Sequence, residues 1–294
     1  MDRRAFLKAS SGLALGSLAF AGVGCATDTD SSSSSAAAPD TTMRGGTRTL
    51  SAIGVQLYTV RSLMEDDFEG TLRQVADIGY REVEFAGYYG RSPDEVRGLL
   101  DELGLSAPAM HVPLNMLRGD LDSILQTAQA IGHEYVVCPW LPEAQRTMGF
   151  YRELPSILNA IGQQCRDAGL QFGYHNHDFE FASMDGTVPY NLLLQETDPQ
   201  LVGMELDLYW IRAAGYDPLT YFADYAGRFP LCHVKDRTAD GEITAVGQGE
   251  IDFAAIFAQS EQAGLQHYFV EHDNPADPLA SIQTSYAYLS QLEF

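Results

Sequence analysis

Lysine is almost absent from this sequence. Lys8 and Lys235 are the only lysines among 294 residues, and Lys and Arg together number 18 against 40 Asp and Glu, which gives a formal net charge of −22. A surface with this charge repels the phosphate backbones of nucleic acids. The composition therefore argues against DNA or RNA as a partner.

Cysteine is scarce as well. The chain has four, and outside the N-terminal segment only Cys138, Cys165 and Cys232 remain. An odd number of cysteines at unrelated spacings argues against a disulfide framework. We therefore predict that these three are buried thiols.

The chain also lacks an apolar run of the roughly 20 residues that a transmembrane helix needs. Its N-terminal apolar segment covers residues 13–23 and follows Asp2-Arg-Arg-Ala-Phe-Leu-Lys8, an arrangement that resembles a twin-arginine export leader. Cleavage after Ala19-Phe-Ala21 would release a soluble periplasmic protein. Alternatively, Gly22-Val-Gly-Cys25 resembles a lipoprotein box and would anchor the chain to the membrane through a lipid on Cys25.

The segment that follows Cys25 is rich in Ser, Ala and Asp. Such a composition cannot bury a core and is typical of a flexible tether, which favours the lipid anchor. We therefore predict a leader at residues 1–25, a linker at residues 26–47 and one folded domain at residues 48–294. The expected location is the periplasm, either free or anchored to the membrane.

The predicted domain alternates short apolar runs with amphipathic segments. With 45% hydrophobic and 20% charged residues, the chain can form one large core. Apolar residues three and four positions apart predict about eight helices, the clearest at residues 68–78, 93–103, 121–131, 151–168 and 251–263. The predicted strands cover residues 53–59, 82–86, 107–112, 135–140, 170–175, 201–208, 230–234 and 268–271.

Eight strand and helix units in one domain match an α/β fold of the (β/α)8 TIM barrel type. A doubly wound sheet is the alternative. It is disfavoured because no phosphate loop of the G-x-G-x-x-G type follows the first strand, where Gly54-Val-Gln-Leu-Tyr58 continues instead. In a barrel the carboxyl ends of the strands converge on one mouth, so polar side chains from different strands can meet there.

Pairs of ionisable residues mark the ends of the last four predicted strands. The members of each pair are two positions apart, so both leave the same face of the strand. Buried ionisable groups are costly unless they are paired, solvated or bound to a metal. One shared site would therefore explain all four pairs, which are His175 and His177, Glu205 and Asp207, His233 and Lys235, and Glu271 and Asp273.

Two imidazoles and two carboxylates from these strand ends could bind one divalent ion. The predicted ligands are His175, Asp207, His233 and Glu271, and Glu205 lies one pleat deeper, where it would support them. Because the set contains no thiolate, Mn, Mg or Co fits at least as well as Zn, and we favour Mn.

Other strand ends supply candidate substrate contacts, each with a structural alternative. A single histidine at a strand end is more often a hydrogen-bonded core residue than a ligand, and a tryptophan there can be either core or a platform for a sugar ring. The candidates are Gln56, Glu84, His111, Trp140, Glu205 and Arg237.

Seven segments, in order along the chain, resemble the sugar phosphate isomerase/epimerase family. They are Gly54-Val-Gln-Leu-Tyr-Thr-Val-Arg61, Val83-Glu-Phe-Ala-Gly87, Met110-His-Val-Pro113, Tyr174-His-Asn-His-Asp-Phe-Glu-Phe181, His233-Val-Lys-Asp236, Gly247-Gln-Gly-Glu-Ile-Asp252 and Phe269-Val-Glu-His-Asp-Asn-Pro275. These xylose isomerase-like TIM barrels include ketose epimerases, inosose dehydratase-like enzymes and endonuclease IV-like repair enzymes. The resemblance covers residues 51–294.

The resemblance implies a metal bound by Glu, Asp, His and Glu on strands five to eight, at the positions of His175, Asp207, His233 and Glu271. His175 departs from that pattern. In the family's epimerases the two metal-bound glutamates exchange protons with opposite faces of a substrate carbon. Histidine at position 175 removes one of these bases, which makes a symmetric epimerase less favoured.

The residues and the resemblance together predict proton abstraction beside a carbonyl of an unphosphorylated sugar. Glu271 is the predicted base, Lys235 the acid or electrostatic partner, and His177 a proton carrier. Reprotonation would give isomerisation or epimerisation of a keto-sugar, which we predict first. Loss of a β-substituent would give a 3-keto-glycoside lyase or hydratase. Further alternatives are a sugar-binding protein without turnover and a repair endonuclease, which the acidity opposes.

Overall fold

The computed structural model describes residues 42–44 and 47–294. The predicted leader, Cys25 and nearly all of the predicted linker lie outside the described residues. At the start of the described part, Thr42–Arg44 pairs antiparallel with Thr47–Thr49. The predicted domain boundary at residue 48 falls within this two-stranded hairpin.

Eight parallel strands close into a barrel, which confirms the predicted (β/α)8 fold. Each strand pairs with its neighbours along the chain, and the eighth pairs with the first. The strands are β1 (Gly54–Gln56), β2 (Glu82–Phe85), β3 (Ser106–His111), β4 (Tyr135–Cys138), β5 (Gln171–His175), β6 (Gly203–Asp207), β7 (Leu231–Val234) and β8 (His267–Val270).

Helices follow the strands and cover the outside of the barrel. Three of the predicted helices have the predicted bounds, and Ser92 begins one of them with a capping box before Pro93. The helices are Arg61–Asp66, Phe68–Ile78, Pro93–Leu103, Leu114–Leu117, Leu121–Ile131, Met148–Asp167, Pro189–Glu196, Leu208–Ala213, Pro218–Asp224, Phe253–Phe257, Ser260–Ala263 and Pro278–Leu289.

Two predicted elements differ most from the structure, each for a local reason. The first predicted strand, residues 53–59, ends at Gln56, because the side chain of Gln56 accepts a hydrogen bond from the Tyr58 amide and starts the 3₁₀ turn Leu57–Val60. The predicted helix at residues 251–263 is two helices, Phe253–Phe257 and Ser260–Ala263. Apolar spacing continues across both helices and does not show the break between them.

The barrel interior is filled below the mouth. Ala109, Tyr135, Val137, Leu231 and Phe269 form a buried cluster from β3, β4, β7 and β8, separate from the main core between strands and helices. This packing fills the barrel directly below the polar strand ends.

The predicted state of the described cysteines is confirmed. Cys138, Cys165 and Cys232 are buried and free of disulfides. Within the described residues, no helix is both long and apolar enough to cross a membrane.

Candidate active site

The polar strand ends meet at the carboxyl end of the barrel. Glu84 on β2, Glu205 and Asp207 on β6, and His233 on β7 are completely buried, and His175 on β5 is 2% exposed. Parallel pairing places His175 beside Glu205 and Asp207 beside His233. The strand register alone therefore brings together residues that are far apart in the sequence.

One set of contacts converges on Glu205. Its Oε2 atom lies 2.7 Å from His111 Nε2, 3.1 Å from His175 Nδ1 and 3.3 Å from His233 Nε2. Glu84 adds a second carboxylate, with Oε2 2.7 Å from His233 Nε2 and Oε1 3.2 Å from His111 Nε2. We call these five residues the inner cluster.

The opposite ring nitrogens of His175 and His233 face a second group of carboxylates. His233 Nδ1 lies 2.8 Å from Glu271 Oε2. Asp207 Oδ2 lies 3.8 Å from His175 Nε2 and 3.9 Å from His233 Nδ1. We call these four residues, which are the predicted metal ligands, the outer set; it shares its two histidines with the inner cluster.

Lys235 supplies a fixed positive charge to the outer set. Its Nζ atom lies 2.7 Å from Glu271 Oε2, 2.9 Å from Asp273 Oδ1 and 3.0 Å from Asp207 Oδ2. The Trp210 ring centroid lies 5.5 Å from the same nitrogen. A lysine that is 1% exposed is tolerated here because three carboxylates surround its ammonium.

Burial and nearby carboxylates act in opposite directions on the histidines. Burial lowers the pKa of His111, but the charges of Glu84 and Glu205 outweigh that effect and raise it to about 9. Burial likewise opposes the charge on His233, whose carboxylate neighbours raise its pKa well above the usual range. For His175, burial and the charge of His233 lower the pKa to about 3. His175 is therefore neutral near pH 7, with a lone pair available to a ligand.

The outer carboxylates differ in charge for the same reasons. Burial raises the pKa of Glu271, but Lys235 and His233 outweigh it and bring the value well below the usual range. For Asp207, burial outweighs the attraction of Lys235 and raises the pKa to about 6. Glu271 is thus the firmly anionic member of the pair.

A cavity of about 490 Å³ opens beside these groups at the mouth of the barrel. Glu271 and Asp273, both just after β8, are the only carboxylates among the described residues that line it. Its other lining residues are Tyr58, Ala86, His111, Pro113, Pro139, Trp140, His175, His177 and Asn274. The volume is sufficient for a small ring compound.

An apolar groove of about 550 Å³ adjoins the cavity. The groove and the cavity share Ala86, His111 and Pro113. Tyr88 and Met116 are among the apolar side chains that line it. A ligand in the cavity can therefore extend a substituent along an apolar surface.

The family model for the xylose isomerase-like TIM barrel matches residues 72–292. The chain belongs to this family. The sequence-based resemblance to it is thereby confirmed.

Within the xylose isomerase-like TIM barrels, the chain is similar to proteins of known structure or activity. It is 24% identical over 261 residues to the inosose dehydratase of Geobacillus kaustophilus (strain HTA426), which covers 75% of this chain and 84% of that enzyme. A sugar phosphate isomerase/epimerase from Parabacteroides distasonis ATCC 8503 superimposes with a TM-score of 0.71 and 26% identity over 82% of this chain and 98% of that one. These similarities identify the chain as an enzyme.

The IOLI protein, whose crystal structure contains a bound zinc atom, has the same fold. The TM-score is 0.65 at 17% identity, over 80% of this chain and 95% of that one. At this identity the similarity concerns the fold alone.

The polar groups of this xylose isomerase-like barrel fit a divalent ion. Imidazole nitrogens and carboxylate oxygens are ligands for Zn, Mn and Co. Ligand atoms of His111, His175, Glu205 and His233 all lie within 4.8 Å of one another, as do those of Asp207, His233 and Glu271. Oε1 of Glu84 and Oε1 of Glu205 are also buried without a hydrogen-bond partner, as expected where a cation completes the environment.

The structure separates the predicted substrate contacts into two groups. His111 and Trp140 line the cavity, and so does the predicted proton carrier His177. Gln56, like Glu84 and Glu205, is completely buried. Gln56 donates to Glu84 Oε2 at 2.8 Å, so this second group orients the histidines from below.

Arg237 does not line the cavity in the structure, although we predicted it as a substrate contact. Its Nη1 atom lies 2.7 Å from Glu250 Oε1 in the loop after β7. The neighbouring Asp236 accepts hydrogen bonds from the Gly247, Gly249 and Ile251 amides. The Gly247-Gln-Gly-Glu-Ile-Asp252 segment is thus explained by loop structure.

The sequence did not indicate Asn274, Tyr58 or Arg61 as parts of the site. Asn274 and Tyr58 line the cavity, and Arg61 donates to Asn274 Oδ1 and to the Asp273 carbonyl, both at 2.6 Å. These contacts join the loops after β1 and β8. The only sequence signal was the closure of a barrel, which makes the first and last strands neighbours.

Proposed function

We propose that the enzyme removes the proton beside a carbonyl of a polyhydroxylated ring and then eliminates the oxygen substituent on the next carbon. One observation carries this proposal. The two carboxylates that line the cavity, Glu271 and Asp273, both follow β8 and both contact Lys235. The carboxylate bases therefore reach a bound ring from one side.

A one-sided arrangement favours elimination over epimerisation. Epimerisation by two bases requires a proton acceptor on each face of a substrate carbon. Among the described residues, the other ionisable groups of the lining are Tyr58, His111, His175 and His177. Burial and neighbouring positive charge lower the pKa of His175 to about 3 and of His177 to about 2, so both rings are neutral near pH 7 and neither supplies the second carboxylate base of a two-base epimerase. Elimination needs only one base.

In the proposed reaction Glu271 acts first as base and then as acid. It takes the proton from the carbon beside the carbonyl, and the electrons of that C–H bond form an enolate. As the carbonyl re-forms, a double bond forms between the α and β carbons and the β C–O bond breaks. The protonated Glu271 gives its proton to the departing oxygen, so water or an alcohol leaves and the base is regenerated.

Lys235 keeps this cycle electrostatically favourable. With its Nζ atom 2.7 Å from Glu271, it holds the carboxylate in its anionic form before proton transfer. After the transfer, its positive charge stabilises the enolate. A divalent ion bound by the histidines would polarise the substrate carbonyl and acidify the neighbouring C–H bond.

The substrate class follows from charge, shape and relatives. The relatives include an inosose dehydratase and a sugar phosphate isomerase/epimerase, which supports a carbohydrate or cyclitol ring. Among the described residues, no lysine or arginine lines the cavity, which favours an unphosphorylated ring. The adjoining apolar groove suits a leaving alcohol with an apolar group, as in an oxidised glycoside. The predicted export leader would place this reaction outside the cytoplasm.

Isomerisation of a keto-sugar is the second candidate. One base on one face can carry a proton between neighbouring carbons, and the Parabacteroides distasonis similarity favours it. It shares proton removal by Glu271 with the elimination and differs in where the proton returns.

The test follows the fate of that proton. The purified protein, supplied with Mn²⁺ or Zn²⁺, is incubated in D₂O with three substrates: p-nitrophenyl 3-keto-glucoside, an inosose and a ketose. We expect loss of p-nitrophenol or water with formation of an enone, observed by NMR. As a control, the Glu271→Gln variant should leave all three unchanged.

Other outcomes would replace the proposal. Deuterium on an intact carbon skeleton without loss of the substituent would favour isomerisation. Inversion at a single carbon with solvent deuterium would require a second base and overturn the one-sided mechanism. If the metal is bound but neither solvent deuterium exchange nor elimination occurs, none of the three tested compounds is a substrate.

A further inference from the structure

We propose that Asn274 determines which rings bind in the cavity, because its side-chain amide donates a hydrogen bond to a substrate hydroxyl, and that Arg61 is the positioning residue that orients this amide. The inference rests on the ring substrate of the proposed function and deepens it by naming a recognition contact. It is tested with a ring that cannot react, so it can fail independently of the chemistry at Glu271.

Arg61 holds the loop after β8, which covers residues 272–276. Its Nη1 atom donates to the Asp273 carbonyl and its Nη2 atom donates to Asn274 Oδ1, both at 2.6 Å. Within the described part of the chain, no backbone–backbone hydrogen bond involves these five loop residues. The conformation of the loop therefore depends on side-chain contacts, and Arg61 makes two of them.

Arg61 is itself held in place by the segment after β1. Its Nη1 atom also donates to the Tyr58 carbonyl at 2.7 Å, and its guanidinium carbon lies 3.9 Å from the centroid of the Tyr58 ring. A guanidinium is planar, and its donors have a fixed geometry, so stacking on a ring also fixes the direction of its hydrogen bonds. Arg61 is thus a rigid support for the loop after β8.

The contact with Arg61 determines which end of the Asn274 amide is left for a ligand. A guanidinium only donates hydrogen bonds, so the amide oxygen faces it and the NH2 group stays free. Asn274 lines the cavity. Among the described residues, its one side-chain hydrogen bond is the one from Arg61. Two N–H donors of fixed orientation are therefore available at the cavity wall.

These donors complement the carboxylates beside them. Glu271, Asp273 and Asn274 line the same side of the cavity, whereas the intervening His272 is turned towards Ser281, with Nδ1 2.9 Å from Oγ. Ionised carboxylates only accept hydrogen bonds, and the amide NH2 only donates them. A ring hydroxyl placed here can donate to a carboxylate and accept from Asn274, so both of its hydrogen-bonding functions are satisfied.

The test measures the binding of p-nitrophenyl glucoside, which has no ring carbonyl and cannot undergo the proposed elimination. Calorimetry on the zinc-loaded protein gives its affinity and those of its 2-, 3-, 4- and 6-deoxy derivatives. The variants are Asn274→Ala, Arg61→Met and the combination of both. Arg91→Met is the matched control, because Arg91 is an exposed arginine after β2 that does not line the cavity. Circular dichroism checks that each variant is folded.

We expect Asn274→Ala to weaken binding of the glucoside by about 2- to 10-fold, the range of one neutral hydrogen bond. One deoxy derivative, which lacks the partner hydroxyl, should bind the variant and the unaltered protein equally well. Arg61→Met should give the same selective pattern, and the combined variant should lose little more affinity than either single variant. Arg91→Met should bind all five compounds as the unaltered protein does.

Several results would overturn the inference. An equal loss of affinity for all five compounds in Asn274→Ala would mean that this residue only stabilises the loop. If Arg61→Met kept the discrimination of the unaltered protein, Arg61 would not orient the amide. If the unaltered protein did not bind the glucoside, the ring ligand itself would be wrong.

The inference and the proposed function can be told apart. Unchanged glucoside affinity in an Asn274→Ala variant that still releases p-nitrophenol from the 3-keto-glucoside would refute the contact and support the elimination. The expected binding pattern without any elimination by the unaltered protein would support the contact and refute the proposed reaction.

Discussion

The two halves of the barrel mouth contrast in polarity. The segments that follow β1 to β4 carry every large hydrophobic side chain that is exposed in the described residues: Tyr58, Tyr89, Met116 and Trp140, at 37% to 52% exposure. The strand ends of β5 to β8 carry the buried charges of the outer set and Lys235. Glu84 and His111 cross this division, because they reach the inner cluster from β2 and β3.

This contrast indicates a division between chemistry and recognition. Charges act strongly on a reacting bond when they are held in place and shielded from water. Exposed apolar surface, in comparison, gains free energy when it covers the face of a ring or an apolar substituent. We call the segments after β1 to β4 the first half of the mouth and the strand ends of β5 to β8 the second half. Substitutions in the second half should therefore lower kcat, and substitutions in the first half should raise KM.

The largest effect is expected from Glu271→Gln. The amide cannot accept the substrate proton, and a positioned general base typically contributes about 10²- to 10⁴-fold to the rate. kcat should fall by that factor, measured as enone formation and as solvent deuterium exchange. Asp273→Asn is the matched control from the same loop and should lower kcat by about 10-fold or less. Equal losses in both variants would show that the two carboxylates act as one base.

Lys235→Met should have the largest effect on stability. It leaves Asp207 and Glu271 as buried carboxylates without their ammonium, and breaking a buried ion pair typically costs about 3 to 5 kcal/mol. The free energy of unfolding from urea titration at pH 7 measures this loss.

The control is Arg73→Met, which breaks the exposed ion pair between Arg73 and Glu102. Surface pairs contribute about 1 kcal/mol or less. If the two variants were equally stable, the lysine would not be the charge that holds the outer carboxylates in place.

The sequence predicted the barrel well because its signals were local and repeated. Helices such as Pro93–Leu103 match their predicted bounds, since apolar spacing, a capping serine and a proline agree there. The strand ends have weaker local signals. Gln56 ends β1 through a side chain to backbone hydrogen bond, and apolar alternation carries no signal of that bond.

The site was predictable only as far as strand direction determines it. Pairs two residues apart correctly placed His175 and His233 at the same mouth. Which nitrogen faces which carboxylate depends on three-dimensional packing, so the convergence of His111 on Glu205 at 2.7 Å was not foreseen. The link from Arg61 to Asn274 depends on closure of the barrel and has no short-range pattern in the sequence.

The Trp140→Ala substitution tests whether the first half of the mouth contributes to substrate binding. Trp140 is 42% exposed beside the cavity, and Arg146 lies 5.2 Å from its ring centroid. Loss of a ring face that stacks on the substrate should raise KM by about 5- to 10-fold with kcat nearly unchanged, since aromatic contacts contribute about 0.5 to 1.5 kcal/mol. Trp140→Phe should recover most of the affinity. A fall in kcat without a change in KM would contradict the division between the halves.

The last prediction concerns a buried carboxylate near the end of β5 that lacks a lysine partner. Glu180 accepts hydrogen bonds from Tyr174 Oη at 2.7 Å and from the His177 amide at 2.8 Å, and it has no ion pair within the described residues. Burial raises its pKa to about 7 despite these bonds, whereas Lys235 brings the pKa of Glu271 below its usual range. The folded state therefore retains a proton that the unfolded state releases near pH 4.5.

Stability should consequently fall as pH rises from about 4.5 to 7, and the contribution of Glu180 should be constant above that range. The glutamine in Glu180→Gln cannot titrate, so the variant lacks this pH-dependent contribution to the free energy of unfolding. The difference in free energy of unfolding between the two proteins, from urea titrations at pH 5, 6, 7 and 8, should therefore shift in favour of the variant up to about pH 7. Parallel curves would mean that Glu180 is already anionic in the folded state at pH 5. In that case burial alone would not separate it from Glu271, and the lysine would not be what distinguishes the two carboxylates.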